Sequence, residues 1–87
     1  MQNTDVNGWK NRQTWSVALW IRHTQPLYNK ACDYAKMCRA QGKPVTYKGF
    51  TAYAKLGNGR RNPDDISWTG TRLDYPALDQ MLSDLVS

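Results

Sequence analysis

The chain has 87 residues, the length of one small domain, and its twelve Lys and Arg against seven Asp and Glu give a net charge of +5. It contains two Cys and one His, and neither Cys stands at metal-ligand spacing from His23. The composition therefore excludes a disulfide-rich scaffold and predicts no metal site.

Residues 1–8 are predicted to form a flexible N-terminal arm, and residues 9–87 a single helical domain. The arm is polar and lacks the basic and apolar stretches of a signal peptide, so we expect a cytoplasmic protein. The first helix is predicted to start near Asn11, a good N-cap residue, and to end near His23. Its apolar segment is too short to span a membrane and too apolar to lie on a solvated surface. We therefore expect this helix at the centre of the domain.

Two tryptophans, Trp15 and Trp20, dominate the first predicted helix. At about 100° per residue they lie about 140° apart around its axis, so both cannot face one neighbouring element. Either the helix is surrounded and both rings belong to the core, or one ring remains for a partner. A buried ring would cost about 3–5 kcal/mol of stability on replacement by Ala.

The second helix is predicted to follow at once, with Thr24 or Gln25 as its N-cap, and to end before Gly42. Cys32 and Cys38 both fall inside it. Six residues of helix separate their Cα atoms by about 9 Å, which is beyond disulfide reach. Two reduced, packed thiols are expected.

The third helix is predicted over residues 47–56, with Thr46 as its N-cap. Its apolar residues recur at spacings of three and four, which favours helix over strand. Gly49 opposes this prediction, because an interior Gly costs about 1 kcal/mol relative to Ala. The inner face is predicted to carry Phe50, Tyr53 and Ala54.

Residues 57–65 are rich in Gly, Asn and Arg and are predicted to form a basic loop. Ile66 and Trp68 then alternate with polar residues, which indicates a short extended piece that buries Trp68. Asp64 and Asp65 are the one adjacent pair of carboxylates, and we interpret them as part of a turn with an Asx cap.

The last helix is predicted to have Asp74 as its N-cap and a contact between Leu73 and Leu78 across its first turn. Asp79 and Asp84 are expected to point outward. The predicted fold is therefore all-α, a compact single domain of about four helices with an irregular basic loop before the last helix.

Charge is divided unevenly along the chain. Residues 1–61 carry eleven Lys and Arg and two Asp, a net of +9, whereas residues 62–87 carry one Arg and five Asp, a net of −4. Either the acidic end covers the basic body within one molecule, or the basic surface is free to meet nucleic acid or an acidic protein. The candidate binding residues on that surface are Lys36, Arg39, Lys48, Lys55, Arg60 and Arg61.

The patterns of an active site or a cofactor site are missing from the sequence. We interpret His23 as a residue that compensates the dipole at a helix C-terminus. Residues 57–61 form either a solvated basic turn or an anion-binding loop, but they lack the Gly-Lys-Ser/Thr ending of a P-loop. We therefore predict a protein that is not an enzyme and that holds no cofactor.

Two segments carry a family resemblance. The first is Asn-Arg-Gln-Thr-Trp-x-Val-Ala-Leu-Trp-Ile at residues 11–21, followed by Leu-Tyr at 27–28. The second is Pro-Asp-x-Ile-x-Trp at 63–68, followed by Leu-Asp-x-x-Ala-Leu-Asp-x-Met-Leu at 73–82. Both resemble a group of small uncharacterised proteins of phages and other mobile elements. Asp65 departs from the group's pattern, in which a small residue often stands there.

The resemblance implies a compact helical domain of mobile-element origin, and it transfers no catalytic residue. Small phage proteins without catalytic groups commonly act by binding. Our leading hypothesis is a non-enzymatic binding protein that engages a host macromolecule in the host cytoplasm, with inhibition of a defence system such as CRISPR as one specific version. The alternative is a basic accessory protein that binds DNA or RNA, since aromatic residues alternate with lysines around Lys48 and Lys55.

Overall fold

A computed structural model describes residues 8–57 and 59–86. The chain forms α1 (Arg12–His23), α2 (Gln25–Ala40), α3 (Tyr47–Tyr53) and α4 (Tyr75–Asp84). The prediction of a small all-α fold with an irregular loop before the last helix is confirmed. Most of the predicted flexible arm, residues 1–7, lies outside the described residues.

The N-termini of α1 and α4 are held together by hydrogen bonds. Asn11 caps α1, because its Oδ1 accepts from the main-chain N of Thr14 at 2.8 Å, and its Nδ2 donates to the carbonyl of Arg72 at 2.7 Å. The hydroxyl of Thr14 donates to Asn11 and accepts from the main-chain N of Asp74 at 2.9 Å. Asp74 in turn caps α4, as predicted, by accepting from Ala77.

The core lies between the four helices and takes side chains from each of them. The indole of Trp68, on the loop before α4, is also buried there, as its alternating pattern predicted. The main-chain carbonyl of Trp68 accepts from the buried hydroxyl of Tyr47 at 2.5 Å, and burial raises the pKa of that hydroxyl. The largest fully buried side chains are Tyr47, Phe50, Ile21, Leu78, Leu82 and Val17.

The link between α1 and α2 is one residue, Thr24, which occupies the N-cap position of α2 without a side-chain hydrogen bond. At the other end, Gly42 adopts φ +70°, the left-handed conformation predicted for the residue after the helix. Cys32 and Cys38 are both free thiols, which confirms their predicted state.

Gly49 permits the close approach of α3 to α2. A Cβ atom at this position would lie 2.0 Å from the Oη of Tyr34, so the tyrosine occupies the space that any larger residue would need. The hydroxyl of Tyr34 also lies 3.4 Å from the Oγ1 of Thr46, the residue that caps α3. The glycine that opposes the helix by propensity is therefore required by packing.

The third helix is shorter than predicted, and its inner face differs. It ends at Tyr53 because Lys55 adopts φ +59° and the main-chain N of Leu56 donates to the carbonyl of Thr51 at 2.8 Å, which forms a Schellman motif. The buried residues of this segment include Tyr47, Phe50 and Ala54. The prediction that Tyr53 faces inward is wrong, since its side chain is 43% exposed.

The expectation for Asp79 is also wrong, whereas Asp84 is exposed as predicted. Asp79 is half-buried, and its Oδ1 accepts from the main-chain N of Tyr47 at 2.6 Å. This carboxylate therefore satisfies a free N–H at the start of α3, where negative charge is stabilising. It holds α4 against α3.

Candidate functional site

The two tryptophans of α1 have different environments. Trp20 packs against the core, and its Nε1 donates to the Oδ2 of Asp64 at 3.0 Å. The same oxygen accepts from the hydroxyl of Ser16 at 2.7 Å, so one carboxylate holds two side chains of α1. These hydrogen bonds lower the pKa of Asp64, with a smaller contribution from the Arg12 guanidinium. Trp20 therefore belongs to the structure of the domain.

Asn62 positions this carboxylate from within the loop. Its side chain is buried, its Nδ2 donates to the hydroxyl of Ser16 at 2.9 Å, and its Oδ1 accepts from the main-chain N atoms of Asp64 and Ile66. The predicted Asx turn is therefore present, with Asn62 as the capping residue. Because Asp64 and Ser16 are bound to each other, this pair is committed to fixing the loop on α1.

Trp15 lies about 140° around the axis of α1 from Trp20. Within the described part of the chain it is not among the core residues, and its ring is half-buried. Leu19 and Arg22 follow at one and two turns on the same face of the helix. These residues line a cavity of about 210 Å³, here called the Trp15 cleft, together with Trp9, Ala18 and His23.

A second cavity of about 430 Å³ adjoins the Trp15 cleft and is here called the α1–α4 groove. Trp9 and Arg22 line both cavities, so they stand between them. The remaining walls of the groove come from α4 and its C-cap residue, which offer apolar, amide and carboxylate groups. They are Ala77, Gln80, Met81, Asp84 and Leu85.

The chemistry of these two cavities suits recognition. They combine aliphatic side chains with indole rings and a guanidinium, and Trp and Arg are enriched among the residues that contribute most to protein–protein affinity. Among residues 8–57 and 59–86, no cluster of three or more His, Cys, Asp or Glu side chains is placed to hold a metal ion.

Residues 2–87 match the model of a family described as DUF7249, a family of unknown function. The chain belongs to DUF7249. No curated protein and no solved structure matches it. The tryptophan-containing α1 and the Leu-Asp helix α4 both lie within the matched range.

The six basic residues predicted for binding in this DUF7249 protein are exposed, and they lie on α2, on α3 and in the loop after it. Three of them contact other groups of the molecule. Arg39 donates to the carbonyl of Val86, and Arg61 forms an ion pair with Asp65 at 3.7 Å. The Nζ of Lys48 lies 5.7 Å from the ring centre of Tyr75.

Lys36, Lys55 and Arg60 complete the predicted basic set. Phe50 is fully buried and so cannot stack on a base, whereas Tyr53 presents an exposed ring close to Lys55 in the chain. No helix in the described part of the protein is long and apolar enough to cross a membrane.

No sequence pattern favours the Trp15 cleft over the basic residues as the binding site. Trp15 was recognised as one of two possible partner anchors, but Trp9, Met81 and Leu85 were not. Their proximity depends on how α4 packs beside α1, which the spacing of residues along the chain does not report. The choice between the tryptophans rests on Asp64, which is 44 residues from Trp20.

Proposed function

We propose that this DUF7249 protein is a non-enzymatic binding protein that engages another protein through the Trp15 cleft and the α1–α4 groove. The observation that carries the proposal is the position of Trp15. A small domain has little apolar surface to spare, and this one buries Tyr47, Phe50 and Trp68 in its core. A tryptophan that lines an open cleft is available to a partner.

The size of the Trp15 cleft also favours a protein as the partner. Sites that enclose a small molecule have roughly 300–1,000 Å³. The α1–α4 groove, at about 430 Å³, lies within this range, whereas the Trp15 cleft, at about 210 Å³, is below it. The cleft suits one anchoring side chain, and the neighbouring groove offers a place for a second. Protein interfaces concentrate their affinity in such anchors, among which Trp and Arg are enriched.

The resemblance to phage and mobile-element proteins supports a host macromolecule in the host cytoplasm as the target. Inhibition of a defence system such as CRISPR is a specific version of this proposal. Cells that make the protein should then let a CRISPR-targeted phage form plaques, and cells that make Trp15→Ala should not. Equal plaque formation on cells that make Trp15→Ala would count against binding of the defence protein through the Trp15 cleft.

Site-specific photo-cross-linking in host cells tests the proposal directly. A photoreactive residue at position 19 lies in the Trp15 cleft, whereas one at position 55 lies among the basic residues. We expect one defined protein adduct from position 19, lost when Trp15→Ala is added, and none from position 55. Adducts from position 55 alone would contradict the proposal.

One observation favours nucleic-acid binding as a second candidate function. Tyr53 is 43% exposed and is followed by Lys55, so a ring that can stack on a base stands close to a cation that can hold phosphate. This function requires affinity for DNA or RNA that falls by roughly one power of salt concentration per phosphate contacted. A fluorescence anisotropy titration of labelled oligonucleotides at low salt, with Tyr53→Ala as the variant, decides it.

A further inference from the structure

We infer that the partner presents a carboxylate between two apolar side chains, and that Arg22 binds this carboxylate. The inference rests on the proposed function and adds the chemistry of the partner to it. Its basis is the position of Arg22, which is exposed and lines both cavities. A group bound to this guanidinium lies at the boundary of the two cavities.

The local charges select a carboxylate and indicate its side of approach. Arg22 presents a planar fork of N–H donors that matches a carboxylate, and His23, on the wall of the Trp15 cleft, adds a ring N–H. The sequence of α1 contains no Asp or Glu. On the groove side stands Asp84, whose carboxylate accepts from Gln80 at 2.8 Å. The groove side of Arg22 therefore already carries a carboxylate, whereas the Trp15 cleft offers donors from Arg22 and His23.

The apolar walls on either side of Arg22 define the rest of the partner. Trp15 and Leu19 receive one apolar side chain in the Trp15 cleft, and Met81 and Leu85 receive the other in the α1–α4 groove. A polyanion such as DNA gains affinity from several cations along a backbone. One arginine between two cavities that each contain apolar and polar side chains instead fits a protein segment in which an acidic residue is flanked by apolar ones.

Selection from a displayed library of random peptides tests this directly. Peptides of about 16 residues allow roughly four helical turns or an extended strand. The immobilised wild-type protein should enrich peptides with an Asp or Glu flanked on both sides by apolar residues. Trp15→Ala, used as the parallel bait, should not enrich them.

Affinities of the selected peptides for Arg22 variants then isolate the carboxylate contact. Arg22→Gln should weaken binding at least about tenfold, or about 1.4 kcal/mol. Arg22→Lys should recover only part of the loss, because it keeps the charge without the fork of donors. Arg60→Gln, which removes an exposed arginine that lines neither cavity, is the matched control and should leave the affinity unchanged.

The outcomes separate this inference from the proposed function. Neutral or basic peptides that depend on Trp15, or equal affinities for Arg22→Gln and Arg60→Gln, would overturn the inference and leave the proposed function standing. Acidic peptides that bind Trp15→Ala as well as wild type would overturn both, since their selection would reflect only the net charge of +5. A library that yields no binder would also count against the inference.

Discussion

Replacing Trp68 by Ala should destabilise the domain far more than replacing Trp15 by Ala. The indole of Trp68 is 5% exposed and belongs to the core. Its removal leaves an enclosed cavity, which for a buried aromatic residue costs about 3–5 kcal/mol. At about 0.05–0.15 kcal/mol per residue, a chain of this length has a stability of roughly 4–13 kcal/mol. Trp68→Ala therefore removes a large part of the total.

Trp15→Ala should cost less stability than Trp68→Ala, because the Trp15 ring is half-buried and already lines an open cleft. Its removal loses the transfer free energy of the covered surface, about 1–2 kcal/mol, without creating an enclosed cavity. The difference between the two variants is therefore about 1–4 kcal/mol. One kcal/mol corresponds to about 4–8 °C in melting temperature for a domain of this size.

Urea titration followed by far-UV circular dichroism measures both variants on the same scale. Circular dichroism is preferable to fluorescence here, because each substitution removes one of four tryptophans. Equal m-values for wild type and variants would show that the comparison concerns stability alone. Equal losses of stability from Trp15→Ala and Trp68→Ala would refute the placement of Trp15 outside the core.

Three further substitutions test how the site is supported. Tyr47→Phe should cost about 1–3 kcal/mol in urea titration, because it leaves a buried main-chain carbonyl without a donor. Hydrogen bonds lower the pKa of Asp64 in the folded protein. Its ionised form therefore stabilises the fold at pH values above the ordinary carboxyl pKa of about 3.9. This stabilisation is lost as the pH falls through the lower pKa that Asp64 has in the folded state. Asp64→Asn should therefore melt at a lower temperature at neutral pH, with a smaller further decrease on acidification; parallel pH profiles would contradict this. Gly49→Ala should destabilise α3 despite better helix propensity, because its Cβ meets Tyr34, whereas the control Gly57→Ala has no atom within 4 Å of its Cβ and should be nearly neutral in thermal melts.

The parts of the fold that depend on neighbouring residues could be predicted from the sequence. Asn11, Thr46 and Asp74 each cap a helix through a main-chain N–H three residues away. Such contacts form within one turn, so the residue type and its local position are sufficient to indicate them. The turn at Gly42 was predicted on the same basis, since glycine adopts positive φ at little cost.

The parts that depend on distant contacts could not be predicted. Ser16 is the one polar residue between Trp15 and Ile21, and it is fully buried and contacts Asp64, 48 residues away. Asp79 appeared to be a solvated residue of an amphipathic helix, and only the packing of α4 beside α3 brings it to Tyr47. Lys55 ends α3 in a conformation that lysine rarely adopts, so its residue type carried no such signal.

The candidate site also combines features that could be predicted from neighbouring residues with features that depend on distant contacts. The sequence left two possibilities for Trp15 and Trp20, either both rings in the core or one ring left for a partner, because their angular separation follows from helix geometry alone. It could not decide between them, because the decision depends on the loop carboxylate of Asp64 that binds Trp20. The basic residues were selected for their charge, and their intramolecular contacts, such as that of Arg61 with Asp65, become visible only in the fold.

The most direct test uses the partner protein that is cross-linked through position 19. The dissociation constant of its complex with this chain is measured for the wild type and for two variants of the chain. Trp15→Ala should weaken binding by about 30-fold or more, the loss of about 2 kcal/mol that marks a hot-spot residue. A double variant, Lys48→Gln with Lys55→Gln, should change the dissociation constant by less than about threefold, because exposed charges outside the contact contribute little. A large loss of affinity in the lysine variant, together with unchanged binding by Trp15→Ala, would contradict the central claim that the Trp15 cleft is part of the binding surface.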